Sequence, residues 1–160
     1  MIYIGIDPAF RKNGFVICII NDQREVDFIT FKDFTAFLDW VWTAPLAIYT
    51  VENSYLQDLT FDMRGSKPEI AKKSRHVGMN QAISEATYRI LKKMFGSYVF
   101  EISPKAKGEK WNDKQLRLYS KHFNHNVFLN YKGLISEQDK RDSYKLALFS
   151  IDFEKKLKKL

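Results

Sequence analysis

Four carboxylates stand where chemistry would need them. Asp7 closes a run in which Ile2, Ile4 and Ile6 alternate with Tyr3, Gly5 and Asp7, and Glu52 closes a second apolar run, Leu46 to Val51. Asp139 and Asp142 lie three apart near the start of the last amphipathic segment, a spacing that puts both on one side of a helix. Following that stripe by threes and fours reaches Leu146, Phe149 and Phe153, so the two acids head the inward face, while Lys140, Arg141 and Lys145 take the polar side. Carboxylates on an inward face are costly unless they are paired or bind a metal. Taken singly, each acid is as well explained by the favourable charge at a helix start or by strand-end capping. Four of them at the convergent ends of two strands and a helix are harder to assign to coincidence. Oxygen ligands without His or Cys suit Mg²⁺ or Mn²⁺ rather than zinc. A cluster of that kind could hold two ions that stabilise the attacking and leaving oxygens of a phosphodiester cleavage.

The elements that must carry these acids follow from periodicity. Residues 2 to 7 read as a strand with two faces, stopped by Pro8, and Lys12-Asn13-Gly14 supplies hairpin chemistry before a second strand, Phe15 to Ile20. Turn residues Asn21-Asp22-Gln23 precede a third, Val26 to Phe31, completing an antiparallel meander. Asp33 to Thr43 carries Phe34, Phe37, Leu38, Val41 and Trp42 at helical spacing and closes at Pro45. A fourth strand, Leu46 to Val51, leads to Glu52. A loop over 53 to 68 leads to a long helix, Glu69 to Phe95, with Met79, Ala82, Ile83, Ala86, Ile90 and Met94 on one stripe and Gly96 as its stop. Tyr98 to Ile102 is a fifth strand, Asn112 or Asp113 caps a helix to Phe123, residues 124 to 126 form a link, and a helix from Ser136 runs to the end. The order βββαβαβα with a terminal helix implies an α/β domain: a five-stranded mixed sheet flanked by helices, with parallel crossovers added to a hairpin-built sheet.

Composition bounds the remaining classes. The 160 residues make one domain, and 45% apolar with 15% aromatic content can build a core. The longest unbroken apolar run, Phe15 to Ile20, is far short of the roughly twenty residues of a membrane span. Met1 leads straight into strand-like sequence with no secretory pattern, and Cys18, the single cysteine, reads as a buried small hydrophobe. A cytoplasmic setting with no membrane partner is the expectation. Twenty-six Lys and Arg against 19 Asp and Glu leave a net charge of +7, which suits a polyanionic partner.

Gly5-Ile6-Asp7-Pro8 with Gly14, then Val51-Glu52, then Asp139-Lys140-Arg141-Asp142 with Leu146-Ala147-Leu148, together resemble the RuvC-type Holliday junction resolvases of the RNase H-like superfamily. The resemblance runs from residue 2 to about residue 150, in order, spacing and setting. It implies an RNase H-like nuclease domain over residues 1–160 that cleaves branched DNA, above all four-way junctions, as a homodimer. By that resemblance the catalytic, metal-holding carboxylates are Asp7, Glu52, Asp139 and Asp142, with two Mg²⁺ or Mn²⁺ ions per site. The aromatic three residues after the glutamate is Tyr55, on which a base could stack. The family's basic segment corresponds loosely to Ser103 to Lys107, with Lys114 following. Ala9 stands where the family has Gly, the loop after Glu52 is longer and carries Asp58 and Asp62, and the segment from Pro104 to Lys114 is shorter.

A nuclease needs cations around its acids. Lys72, Lys73 and Arg75 open the long helix, and Lys105, Lys107, Lys110 and Lys114 follow the fifth strand. Such residues would position phosphates without reading sequence. His76, His122 and His125 have no metal-ligand spacing, and no phosphate loop or dinucleotide fingerprint is present. The small residues Gly78, Ala82 and Ala86 mark the long helix as the expected dimer surface. Three other readings stay open: an RNase H-type enzyme on RNA–DNA hybrids, a nucleic-acid-binding module without turnover, and an interaction protein with a structural acid cluster.

Overall fold

The computed structural model of the chain describes residues 1–9, 15–57, 64–127 and 137–158. The expected turn at Lys12-Asn13-Gly14, the loop acids Asp58 and Asp62, and the helix start at Ser136 lie outside them.

Strands β1 (Tyr3–Ile6), β2 (Phe15–Ile20) and β3 (Glu25–Phe31) form the expected antiparallel meander. Strand β4 (Ile48–Glu52) pairs parallel to β1, and β5 (Val99–Ile102) pairs parallel to β4. The five-stranded mixed sheet inferred from the element order is therefore present. A two-residue strand, β6 (Asn126–Val127), adds to its far edge, so the full order is β5-β4-β1-β2-β3-β6. The polar stretch that enters β6 has no alternation to read. Only its place beside β3 makes it a strand.

Helices cover both faces. Ile4 and Ile6 of β1 and Tyr49 and Val51 of β4 point into one core with Phe37, Val41 and Leu91. Helix α1 (Phe34–Val41) supplies Phe37 and Val41 and is capped by Asp33, whose side chain accepts from the Ala36 amide at 2.9 Å. It stops before Trp42, so that indole turns outward and is 79% exposed instead of joining the buried stripe. Helix α2 (Lys67–Phe95) begins two residues earlier than periodicity suggests, because Glu69 reaches back to the Ser66 amide at 2.8 Å and Pro68 fits the first turn. It ends at Gly96, whose φ of 57° is the left-handed stop.

The buried side of α2 is not the apolar stripe. Ser84, Thr87 and Leu91 face inward, while Ala82 and Met94 are exposed and Met79, Ile83 and Ala86 are half-buried. Ser84 takes that side because it bonds into the turn after β4, accepting from the Ser54 amide at 3.1 Å and donating to Asn53 Oδ1 at 3.2 Å. Before Val77 the helix is exposed apart from Ile70.

The other face of the sheet carries α5 (Glu137–Leu157), packed with Cys18, Ile20, Tyr144, Ala147 and Leu148. Gly5 sets how close α5 comes. A Cβ there would overlap the Ser143 carbonyl oxygen and the Ala147 nitrogen and lie 2.8 Å from the Leu146 carbonyl carbon. Side chains then fix the helix along the strands: Ser150 Oγ shares a hydrogen bond with Thr50 Oγ1 at 2.7 Å and donates to the Ile4 carbonyl at 3.2 Å. Tyr3 donates to Glu154 at 2.7 Å, and Phe153 stacks on Phe100 at 4.3 Å. Two more helices complete the layer, α3 (Pro104–Lys107) and α4 (Asp113–His122), the latter boxed by Asn112 and Gln115. Among the described residues no helix is long and apolar enough to cross a membrane.

Candidate active site

Asp7 and Glu52 end up side by side because β1 and β4 are parallel neighbours in matching register, Ile6 opposite Val51. Ile6 and Val51 point into the α1–α2 core, so the next residue on each strand, Asp7 and Glu52, turns toward α5. Helix α5 brings Asp142 to the same place, and its residue exposure is only 4%. The close approach at Gly5 makes this possible, since Ser143 lies directly over it.

The group that joins the three acids is Lys107, which the sequence places with the surface lysines. It is buried, 7% exposed, and its ammonium lies at the centre of the cluster. Nζ is 3.3 Å from Asp7 Oδ2 and 3.7 Å from Asp142 Oδ2, and it contacts Glu52 Oε2. The expectation that Lys107 meets phosphate at the surface is thus corrected. The segment around it, read as a basic loop, is helix α3. Ser103 caps it by accepting from the Ala106 amide at 3.2 Å, and Pro104 occupies its first turn. That cap-and-proline pair was the legible signal. A single turn starting there points its fourth residue back over the strand ends.

Charge follows geometry. Burial pushes Asp7 up to about 7, helped by the Glu52 and Asp142 charges and opposed by Lys107. Burial also works against the Lys107 charge, but Asp7, Glu52 and Asp142 together hold its pKa above the ordinary lysine value. Lys145 is close by. Burial and the neighbouring Lys107 lower its pKa, and its Nζ donates to the Glu109 carbonyl at 2.7 Å and sits 5.1 Å over the Trp111 ring. Trp111 also stacks on Tyr119 at 4.2 Å.

Asp142 accepts from Gln138 Nε2 at 2.8 Å, and Gln138 Oε1 accepts from Arg141 at 3.2 Å, so the first turns of α5 orient the acid. Asp139, expected as the fourth member, is half-buried one turn earlier, and the ion pairs of Lys107 are made with the other three. Among the described residues no three His, Cys, Asp or Glu side chains are gathered closely enough to hold an ion as they stand. The acids are arranged around an ammonium.

A residue the sequence reading passed over supports Glu52. Asn53 is fully buried, and its amide donates to Glu85 at 2.6 Å and to Glu101 at 2.8 Å. Its carbonyl oxygen caps the 3₁₀ turn Ser54–Leu56 by accepting from the Tyr55 amide at 3.1 Å, and its own amide donates to the Ile102 carbonyl at 2.9 Å. Asn directly after a strand-ending acid, with Ser next, was its only sequence mark.

The remaining expected contacts lie on the surface. Tyr55 is 62% exposed on the turn after Glu52. Lys72, Lys73 and Arg75 are exposed on the outer half of α2, with Lys73 donating to the Arg64 carbonyl at 3.1 Å. Lys105, Lys110 and Lys114 are exposed on and beyond α3. Gly78 and Ala82 are exposed and Ala86 is half-buried. His125, away from the acids, shares a 2.9 Å hydrogen bond with Tyr144.

The chain matches no known protein-family model, no curated protein and no solved structure.

Proposed function

We propose that the chain is a metal-dependent endonuclease that cleaves branched DNA, with the four-way junction as its preferred substrate. The observation that carries this reading is the convergence of Asp7, Glu52 and Asp142 from two parallel strand ends and a helix, with the exposed Tyr55 three residues after Glu52 and the exposed Lys105 two residues before Lys107. The order β3-β2-β1-β4-β5, with the first three strands antiparallel and the last two parallel to β1, also supports an RNase H-like domain.

The donor set fits a hard divalent ion. Its oxygens are all carboxylate, and Glu52 Oε2 is buried with the Lys107 ammonium against it. Asp7, Glu52 and Asp142, with Asp139 one turn away, would hold Mg²⁺ or Mn²⁺, two ions in the full resolvase arrangement. A bound ion would supply Lewis-acid stabilisation and an activated water for phosphodiester hydrolysis. The chain's own residues do the rest. Gln138 fixes the rotamer of Asp142, Asn53 fixes the turn beside Glu52, and the exposed Tyr55 ring offers a surface for an unpaired base. Exposed Lys72, Lys73, Arg75, Lys105 and Lys114 would position phosphates. Symmetric incision of a junction calls for two copies, and the open small-residue side of α2 at Gly78, Ala82 and Ala86 is the surface we assign to them.

The test is cleavage of a four-way junction with Mg²⁺ or Mn²⁺, beside linear duplex and an RNA–DNA hybrid of the same sequence. Junction-selective incision that is lost in Asp7→Asn supports the reading. Preference for the hybrid would make the protein an RNase H-type enzyme. One observation favours a second reading: an ammonium already neutralises part of the cluster, as it would in a binding module without turnover. Junction binding with no cleavage in either metal would establish that module.

A further inference from the structure

The Lys107 ammonium has a consequence for how many ions the centre can take. We propose that Lys107 is a permanent cation of the site, filling the place of one metal ion, so that the centre binds a single divalent ion per chain. This rests on the metal-site reading above and narrows it, replacing the two-ion arrangement.

Three observations carry it. First, the position is fixed by the backbone rather than reached by a loose side chain. The Lys107 amide donates to the Ser103 carbonyl at 2.9 Å, and the Gly108 amide donates to the carbonyls of Pro104 and Lys105 at 3.2 Å each. Gly108 has a φ of 76°, a left-handed conformation that turns the chain away immediately after the lysine. The following residue is fastened in turn by the hydrogen bond from Lys145 to the Glu109 carbonyl.

Second, charge limits the number of ions. Asp7, Glu52 and Asp142 with one ammonium leave two formal negative charges, and three with Asp139 one turn earlier, against the four positive charges of two divalent ions. A second ion beside Lys107 would leave an excess of buried positive charge, with Lys145 already adjacent. Third, the ammonium stands between the carboxylates instead of at their rim. It is within 3.7 Å of Asp142 and 3.3 Å of Asp7, and it touches Glu52. An ion bridging all three would need that same point, so an ion that enters must take one side of it.

The experiment is titration of the purified full-length chain with Mn²⁺ by isothermal calorimetry, with electron paramagnetic resonance on the same samples and Asp7→Asn as the control for sites elsewhere. The expected result is one Asp7-dependent ion per wild-type chain and no spin-coupled manganese pair. Lys107→Met should bind the first ion on the order of tenfold more tightly and accept a second, giving a coupled spectrum, while Lys107→Arg should stay at one. Two ions in the wild type, or Lys107→Met remaining at one, would overturn the lysine's role and leave the nuclease reading standing. No Asp7-dependent ion in the wild type would overturn both. Should Lys107→Met not fold, the wild-type count and its spectrum still decide.

Discussion

Asp7 is the residue on which the site's chemistry and the protein's stability pull in opposite directions. Burial, then the Glu52 charge, raise its pKa to about 7, so the metal-free folded protein keeps a proton that the unfolded chain gives up near pH 4. The folded state therefore binds more protons across that interval. This contribution to stability is fully present below the unfolded value and is lost as pH rises toward 7. The melting temperature of metal-free protein should fall by about 5 °C between pH 5 and pH 7.5, a scale set by a shift of a few degrees per kcal/mol. Asp7→Asn should flatten that dependence and melt higher at neutral pH and, on the proposed nuclease reading, reduce junction cleavage by about 100-fold. A steep pH dependence surviving in Asp7→Asn would place the proton on another group. Asn53 acts one residue beyond the chemistry. Asn53→Ala leaves Glu85 and Glu101 without their shared donor and frees the Tyr55 turn, for a cost of roughly 2 kcal/mol in denaturant unfolding.

At the scale of elements, the site exists because α5 lies almost on top of β1. Gly5→Ala puts a methyl group into the backbone of Ser143 to Ala147, which no side-chain rotation can relieve. Overpacking of that kind costs about 1–3 kcal/mol or more. Because the displaced helix carries Asp142, Mn²⁺ affinity should weaken together with stability. Calorimetric titration and thermal melting of Gly5→Ala check both, and a variant that loses stability but binds Mn²⁺ as the wild type does would detach the helix from the site. Much of this layer was legible. Asp33 before Phe34, Pro68 at the head of α2, Gly96 at its end, and the Asn112–Gln115 box all mark boundaries by local chemistry. The inward side of α2 was not, because Ser84 and Thr87 are buried through what they meet across the fold rather than through their own hydrophobicity.

For the whole molecule, which carries a net charge of +7, three acids meet at the strand ends while exposed cations stand on α2, α3 and α4. If the outer half of α2 lies along DNA, the triple variant Lys72→Ala, Lys73→Ala, Arg75→Ala should weaken junction binding evenly across sequences. It should also reduce the slope of log affinity against log salt by up to about 3, with metal binding unchanged. An unaltered slope would remove this helix from the DNA path. The alternating strands, the acids that end them and the i,i+3 pair on the last helix are local facts of chain order, and the sequence by itself determined them, along with the α/β class and the mixed sheet. Tertiary structure alone decided that Lys107 is an inner cation and not a surface one, and that Asn53 anchors the turn beside Glu52. The reason is physical: a strand's period is printed in its own residues, whereas the field at a buried ammonium is made by carboxylates 35 to 100 residues away along the chain.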